Sequence, residues 1–152
     1  MKVGIVVSLV LVATIGLNVE GTQAGIPTKI VYVDASATGQ GTGKSWDDAY
    51  PSLSTAITNT SAFAEIWVAE GVYKPRAFLP SRSTSFQLKN GVAIYGGFRG
   101  NESNRNDRDV AANLTILSGD IGQLTESDNS YHVMTAAGVN STARLDGFTI
   151  RG

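Results

Sequence analysis

Three aspartates flank one glycine- and threonine-rich loop, and their carboxylates have the clearest potential for metal chemistry. Asp34 precedes the loop, and Asp47 and Asp48 follow it. Calcium takes about six to eight oxygen ligands, so these carboxylates are candidate calcium ligands. The spacing does not match an EF-hand loop, because Ser45 stands where that loop needs its bidentate glutamate. Aspartates also cap turns and helix starts, and we favour this structural role.

Four aromatic residues are candidates for sugar stacking, because aromatic faces pack against the apolar faces of sugar rings. They are Trp46, Trp67, Tyr73 and Tyr95. A shared platform predicts a polysaccharide or a cell-surface glycan as the partner. The alternative is that these residues pack inside the fold, with Trp67 in its strand and Tyr95 at a corner before two glycines.

Other chemistries find little support in the sequence. Gly43, Lys44 and Ser45 match the end of a phosphate-binding loop, but Thr38 occupies the position of its first glycine. His132 is the only histidine, and no serine or carboxylate lies at a spacing typical of a catalytic triad. We therefore predict no catalytic residue and no cofactor, and we expect that the chain as it stands is not an enzyme.

Composition narrows the classes of protein further. The 152 residues suit one domain, with 12 basic and 13 acidic side chains and a net charge of −1. This balance gives no electrostatic support for a nucleic-acid partner, which would need a basic surface. The absence of cysteine excludes disulfides, thiolate zinc sites and a cysteine nucleophile.

The amino-terminal segment has the pattern of a secretory signal peptide. A single Lys2 precedes an uncharged apolar run over 3–17, and the small residue Ala24 closes the segment. The pattern predicts a signal-peptide helix over 1–24, cleaved between Ala24 and Gly25, and a mature region over 25–152. An uncleaved anchor and a buried strand are the alternatives. We expect an exported protein that meets a membrane only through this peptide or through missing downstream parts.

The mature region consists of short apolar runs bounded by Gly, Asn or Asp, which predicts strands. One helix is predicted over 49–59, where apolar residues recur at helical spacing. The later strand centres are roughly 20 residues apart, which favours an all-β solenoid whose successive strands stack in parallel. The predicted strands cover 30–33, 65–69, 86–88, 92–95, 114–117, 132–135 and 144–150.

The order of several segments resembles the amino-terminal end of secreted right-handed parallel β-helix proteins. These belong to the pectin-lyase-like superfamily and include the polymorphic outer-membrane proteins. The segments are IVYVDASATGQGTGKSWDDAYPSLSTAI, EIWVAEGVYKP, FQLKNGVAIYGGF, TILSGDI and RLDGFTIRG. The resemblance implies that the first strand and the short helix cap the β-helix, and that 25–152 holds this cap and the first coils of a longer, truncated protein.

The resemblance implies an exported or cell-surface module of adhesin or structural type, without catalytic activity, at the surface or outer membrane of a bacterium. Two alternatives stay open. The chain is the amino-terminal part of a polysaccharide lyase or glycoside hydrolase that lacks its active-site coils, or it is a carbohydrate-binding module.

Overall fold

The computed structural model describes residues 29–75, 81–122 and 128–152, which form mostly β-strands with one α-helix. Within these ranges no helix has both the length and the apolar character needed to cross a membrane. The predicted signal peptide over 1–24 and its cleavage point between Ala24 and Gly25 lie outside the described residues.

The strands are β1 Lys29–Val33, β2 Ala64–Ala69, β3 Gly71–Tyr73, β4 Phe86–Gln87, β5 Val92–Phe98, β6 Thr115–Ser118, β7 Met134–Thr135, β8 Arg144–Asp146 and β9 Thr149–Arg151, and the helix is α1 Leu53–Asn59.

The strands form three sheets, and every strand pair in them is parallel. Sheet A has the order β1-β2-β5-β8, sheet B the order β3-β6-β9, and sheet C consists of β4 and β7. From β2 to β9 the chain therefore visits sheets A, B and C in a repeating cycle. The predicted parallel pairing of a mainly β protein is confirmed.

The prediction that successive strands stack directly on one another is wrong for most of the chain. The consecutive strands β5, β6 and β7 lie in three different sheets, and Ile94 pairs with Leu145 of β8. The intervals seen in the sequence measure steps around the core, because the chain bends between strands that lie on different sides. One such bend is at Gly147, whose φ of 82° divides the predicted strand over 144–150 into β8 and β9.

The inward side chains of each sheet form columns that meet in one hydrophobic core. In sheet A the column starts at Val31 and continues through Ile66 and Ile94, all of which are at most 2% exposed. Burial of each such side chain contributes about 1.5–3 kcal/mol of transfer free energy. The columns of the other two sheets are Tyr73, Leu117 and Ile150 in sheet B and Phe86 and Met134 in sheet C.

Helix α1 covers the end of this core next to β1, with Leu53, Ala56 and Ile57 buried. It begins later than predicted. The Ser52 side chain caps it by accepting a hydrogen bond from the Thr55 backbone N–H at 3.3 Å. The predicted start near residue 49 is wrong, because the backbone there is extended and hydrogen-bonds to β1.

The free edge of β1 is covered by the segment just before the helix. The Tyr50 backbone N–H donates to the Tyr32 carbonyl at 2.9 Å, and the Asp34 N–H donates to the Tyr50 carbonyl at 3.0 Å. The Tyr32 N–H donates to the Gly43 carbonyl at 3.0 Å. These bonds satisfy groups that an uncovered parallel edge would leave open, so this end of the molecule is closed.

Lys89 stabilises the carboxyl end of α1, and its replacement by methionine tests this. The ammonium donates to the carbonyls of Ile57, Thr58 and Thr60 at 3.1, 3.3 and 2.6 Å. Because a cation satisfies helix-end carbonyls and their negative dipole, Lys89→Met should lower the free energy of unfolding by about 1–2 kcal/mol. Urea unfolding measures the change. Lys44→Met, at an exposed loop position, is the control, and equal effects of the two variants would refute the capping role.

Candidate functional site

The outward face of sheet A carries the most concentrated polar and aromatic chemistry among the described residues. Side chains alternate in direction along a strand, so the partners in register with Glu65 and Trp67 also point outward. Across β1, β2, β5 and β8 they form two rows. The first row is Ile30, Glu65, Ala93 and Arg144, and the second is Tyr32, Trp67, Tyr95 and Asp146.

An aromatic cluster covers the part of this face nearest the closed end. The Trp67 and Phe98 rings stack with centroids 4.8 Å apart, and Trp46 lies between Tyr32 and Phe98 at centroid distances of 4.8 and 5.6 Å. The Trp46 indole N–H donates to the Glu102 carbonyl at 2.9 Å. Stacking and edge contacts of this kind add to the burial energy of each ring. The cluster therefore holds the loop that contains Trp46 and the loop that contains Glu102 against sheet A.

The four sugar-stacking candidates do not share one open surface. Trp67, Tyr73 and Tyr95 are at most 4% exposed, and only Trp46 is partly exposed. Tyr73 lies in the core, where its hydroxyl donates to the Ala69 carbonyl at 3.0 Å and burial raises its pKa. The Tyr95 ring is covered by the guanidinium of Arg105, 4.8 Å from its centroid. The geometry therefore favours packing roles for these rings.

The three aspartates lie in turn structures. Asp34 accepts hydrogen bonds from the Ser36 backbone and hydroxyl at 2.8 and 2.7 Å, as in an Asx turn. Asp48 accepts from the Gln40 N–H at 2.8 Å, and Asp47 is exposed. Neither Asp47 nor Asp48 caps α1, which is a correction to that expectation. No group of three acidic or histidine side chains suited to a metal occurs among the described residues.

A buried carboxylate organises the outward face farther along. Glu65 is 6% exposed, and its two oxygens accept hydrogen bonds from the Trp67 indole N–H at 2.7 Å and from Arg105. Arg105 also donates to the Tyr95 hydroxyl at 3.3 Å. Both carboxylate oxygens thus have partners, which compensates much of the cost of burying the charge.

A second arginine from the same segment braces the neighbouring strands. Arg108 donates to the Gly96 carbonyl at 3.1 Å and forms an ion pair with Asp146 at 2.7 Å. It therefore bridges β5 to β8. The two arginines were missed as site residues because the polar segment over 101–109 looks like a solvated loop. The sequence does contain one signal. Glu65 points outward from a strand that is otherwise apolar and buried, and a buried carboxylate requires a basic partner.

The groove beside Glu65 has a volume of about 480 Å³, within the range typical of small-molecule sites. Its aromatic wall is Phe63, which is 56% exposed and has a φ of 62°. Such backbone strain in a non-glycine residue is concentrated at functional sites. Its basic wall includes Arg105 and the exposed Arg144, whose pKa is raised by its hydrogen bond to Tyr95 and then by nearby charge.

Glu102 orders the loop that holds Trp46. Its carboxylate accepts hydrogen bonds from the backbone N–H groups of Arg99, Gly100 and Asn101 at 2.6, 3.0 and 3.0 Å. Partial burial alone would raise the pKa of Glu102, but these donors outweigh it and lower the pKa below its usual value. The carboxylate form therefore stabilises this loop.

We expect Glu102→Gln to reduce stability by about 1 kcal/mol at neutral pH, because the charge-assisted bonds weaken. A group with a lowered folded pKa stabilises the protein above its unfolded pKa and loses this effect as pH falls through the folded pKa. The difference from the unsubstituted protein should thus close in acid. Thermal unfolding between neutral and acidic pH measures it, with Glu70→Gln at an exposed position as the control. A difference that persists unchanged in acid would contradict the role of the charge.

Comparison of the chain with protein-family models, with curated proteins and with solved structures found no match.

Proposed function

We propose that this chain is a non-catalytic, exported structural or adhesin-type module that forms the amino-terminal cap of a right-handed parallel β-helix at a bacterial surface. Three features support the proposal: all strand pairs are parallel, the chain cycles through three sheets, and one end of the core is closed by α1 and the 41–50 segment. The secretory pattern over 1–24 is the basis for export, and the resemblance to pectin-lyase-like proteins in segment order is the basis for surface location.

The observation that carries the proposal is the change in burial along the inward columns. In sheet B the column falls from fully buried Leu117 to Ile150, which is 53% exposed. In sheet A it goes from fully buried Ile94 to a partly buried Leu145, and in sheet C from Phe86 to a partly buried Met134. Along these three columns of described residues, the incompletely buried members are those on the last strand of each sheet, β7, β8 and β9.

A core whose last inward side chains are partly exposed favours the addition of one more layer of strands. Inward apolar side chains on β8 and β9 lie at sheet edges that have no further strand among the described residues. Burial of such side chains, together with strand pairing at the edge, would stabilise an added coil. In stacked repeat proteins each unit depends on its neighbour in this way, while a terminal cap needs only one neighbour. The exposed inward side chains of β8 and β9 therefore support the proposed stacking role.

Self-association of the full chain tests the open edge. We expect concentration-dependent association by sedimentation, accompanied by binding of an apolar fluorescent dye, and both should fall strongly in Ile150→Lys. Leu114→Lys is the matched control, because Leu114 is also 53% exposed but lies outside the last rung. A protein that is monomeric at all concentrations and does not bind the dye would overturn the proposed stacking role. Release of reducing ends or unsaturated products from polysaccharides would favour an enzyme instead.

Carbohydrate binding is a second candidate function, and the groove beside Glu65 favours it. An exposed aromatic ring, Phe63, lines the same groove as the hydrogen-bonding groups of Thr142 and Arg144. Sugars are bound by this combination of an apolar face and directed polar groups. A glycan array with the purified protein tests it, and an array without any bound glycan would remove this candidate.

A further inference from the structure

We infer that the groove beside Glu65 binds a saccharide ring that carries an oxyanionic group, which the Arg105 and Arg144 guanidinium groups recognise. This inference deepens the carbohydrate-binding candidate and rests on it, but it is independent of the open sheet edge. The aromatic ring that it uses for stacking is Phe63, which is not one of the four aromatic residues predicted from the sequence.

The charges that line the groove are unequal. The lining holds two guanidinium groups, those of Arg105 and Arg144, and one carboxylate, that of Glu65. Glu65 already accepts hydrogen bonds from Trp67 and Arg105 and is almost fully buried. The groove lining therefore carries a net positive charge. Asp146 also acts on Arg144, but it lies outside the lining and forms an ion pair with Arg108.

Both guanidinium groups line the same groove as Tyr95. Arg105 donates to the Tyr95 hydroxyl at 3.3 Å, and Arg144 lies on β8, the strand that pairs with the strand of Tyr95. Arg105 keeps an exposed side-chain fraction of 41%, and Arg144 is exposed. Guanidinium groups have more donors than these contacts use, and their planar arrangement matches the oxygens of carboxylate, sulfate or phosphate groups.

The opposite wall explains why the anion would be attached to a ring. Phe63 is 56% exposed at the groove, and its backbone is held in the left-handed region while its N–H donates to the Gly91 carbonyl at 2.7 Å. Ala93 is in register between Glu65 of β2 and Arg144 of β8, and its small side chain also lines the groove. A sugar ring over Phe63 would bring a substituent within reach of the arginines, because one groove of about 480 Å³ contains both walls.

Calorimetric titration at constant ionic strength tests the inference with four probes: glucuronate, glucose 6-sulfate, glucose and inorganic sulfate. We expect glucuronate, glucose 6-sulfate or both to bind at least tenfold more tightly than glucose and than inorganic sulfate. Binding of only one charged sugar would identify its group as the oxyanion. Equal binding of glucose would overturn the oxyanion inference and leave the carbohydrate candidate standing. Equal binding of inorganic sulfate would overturn the role of the ring, and no binding at all would overturn both.

Two variants connect the binding to the walls of the groove. Arg144→Met should weaken the charged sugar by about tenfold or more, since a charge-assisted hydrogen bond is lost. Arg151→Met is the matched control, because it removes another exposed arginine, which lies in sheet B. Phe63→Asn keeps a residue that tolerates the left-handed backbone but removes the ring, and it should weaken binding about threefold or more. Equal affinities for Arg144→Met and Arg151→Met would refute the assignment.

Discussion

Replacing Glu65 with alanine is expected to lower the free energy of unfolding by about 3 kcal/mol or more, the largest loss from any single polar side chain described here. The buried carboxylate accepts from Trp67 at 2.7 Å and from Arg105. Its removal leaves the Trp67 indole N–H buried without this acceptor, at a cost of about 1–3 kcal/mol, and Arg105 loses its ion pair. It also leaves unfilled space beside Trp67 in the lining of the groove.

Urea unfolding of Glu65→Ala measures the loss, and Glu65→Gln separates its parts. The amide oxygen of glutamine still accepts one hydrogen bond but carries no charge. The free energy of unfolding of Glu65→Gln should therefore lie between that of the unsubstituted protein and that of Glu65→Ala. Lys74→Met is the control, because the Lys74 and Asp120 ion pair has both side chains 44% exposed and should contribute under about 1 kcal/mol. If Glu65→Ala and Lys74→Met lower the free energy of unfolding equally, the Glu65 network stabilises the fold no more than an exposed ion pair does.

Gly147→Ala is expected to cost about 3 kcal/mol or more and to loosen β8 and β9. Gly147 has a φ of 82°, where any other residue pays about 1–2 kcal/mol. A Cβ at this position would also lie 2.6 Å from the Gly96 carbonyl oxygen. Because that oxygen belongs to the backbone of β5, the contact can be relieved only by moving a strand, which adds a cost typical of overpacking.

Gly138→Ala is the matched control for this prediction. Gly138 has a φ of 72°, but a Cβ there meets nothing within 4 Å. It should therefore cost only the backbone strain, about 1–2 kcal/mol, and the difference between the two variants isolates the close approach of two strands. Hydrogen exchange should also show faster exchange in β8 and β9 of Gly147→Ala alone. Equal losses in both variants would show that the approach of Gly147 to Gly96 is not limiting.

The start of α1 shows how tertiary contacts overrode a local pattern. Ala49, Leu53, Ala56 and Ile57 have helical spacing, which predicted a helix from residue 49. The last three do face the core from α1, but Tyr50 pairs with β1 instead. The covering of a strand edge stabilises that extended backbone more than one further helical turn would, because it satisfies several backbone groups at once.

The short strand β3 was missed for a related reason. Gly71 and the residue before it look like a strand stop, and three residues are too few to show alternation. In the fold, Gly71, with a φ of 142°, begins a new strand that pairs with β6 on another side of the core. A bend signal therefore marked a change of sheet, and the sequence alone does not distinguish this from the end of a strand.

By itself the sequence determined where most strands lie and that their pairing is parallel, because short apolar runs bounded by glycine and asparagine are local features and their spacing is too long for hairpins. Only the tertiary structure decided which strands are neighbours and what the outward face contains. Glu65 and Arg105 meet across 40 positions of the chain, as the result of the register between β2 and β5 and the path of the loop after β5. Such contacts depend on the summed packing of all three sheets, so no local pattern encodes them.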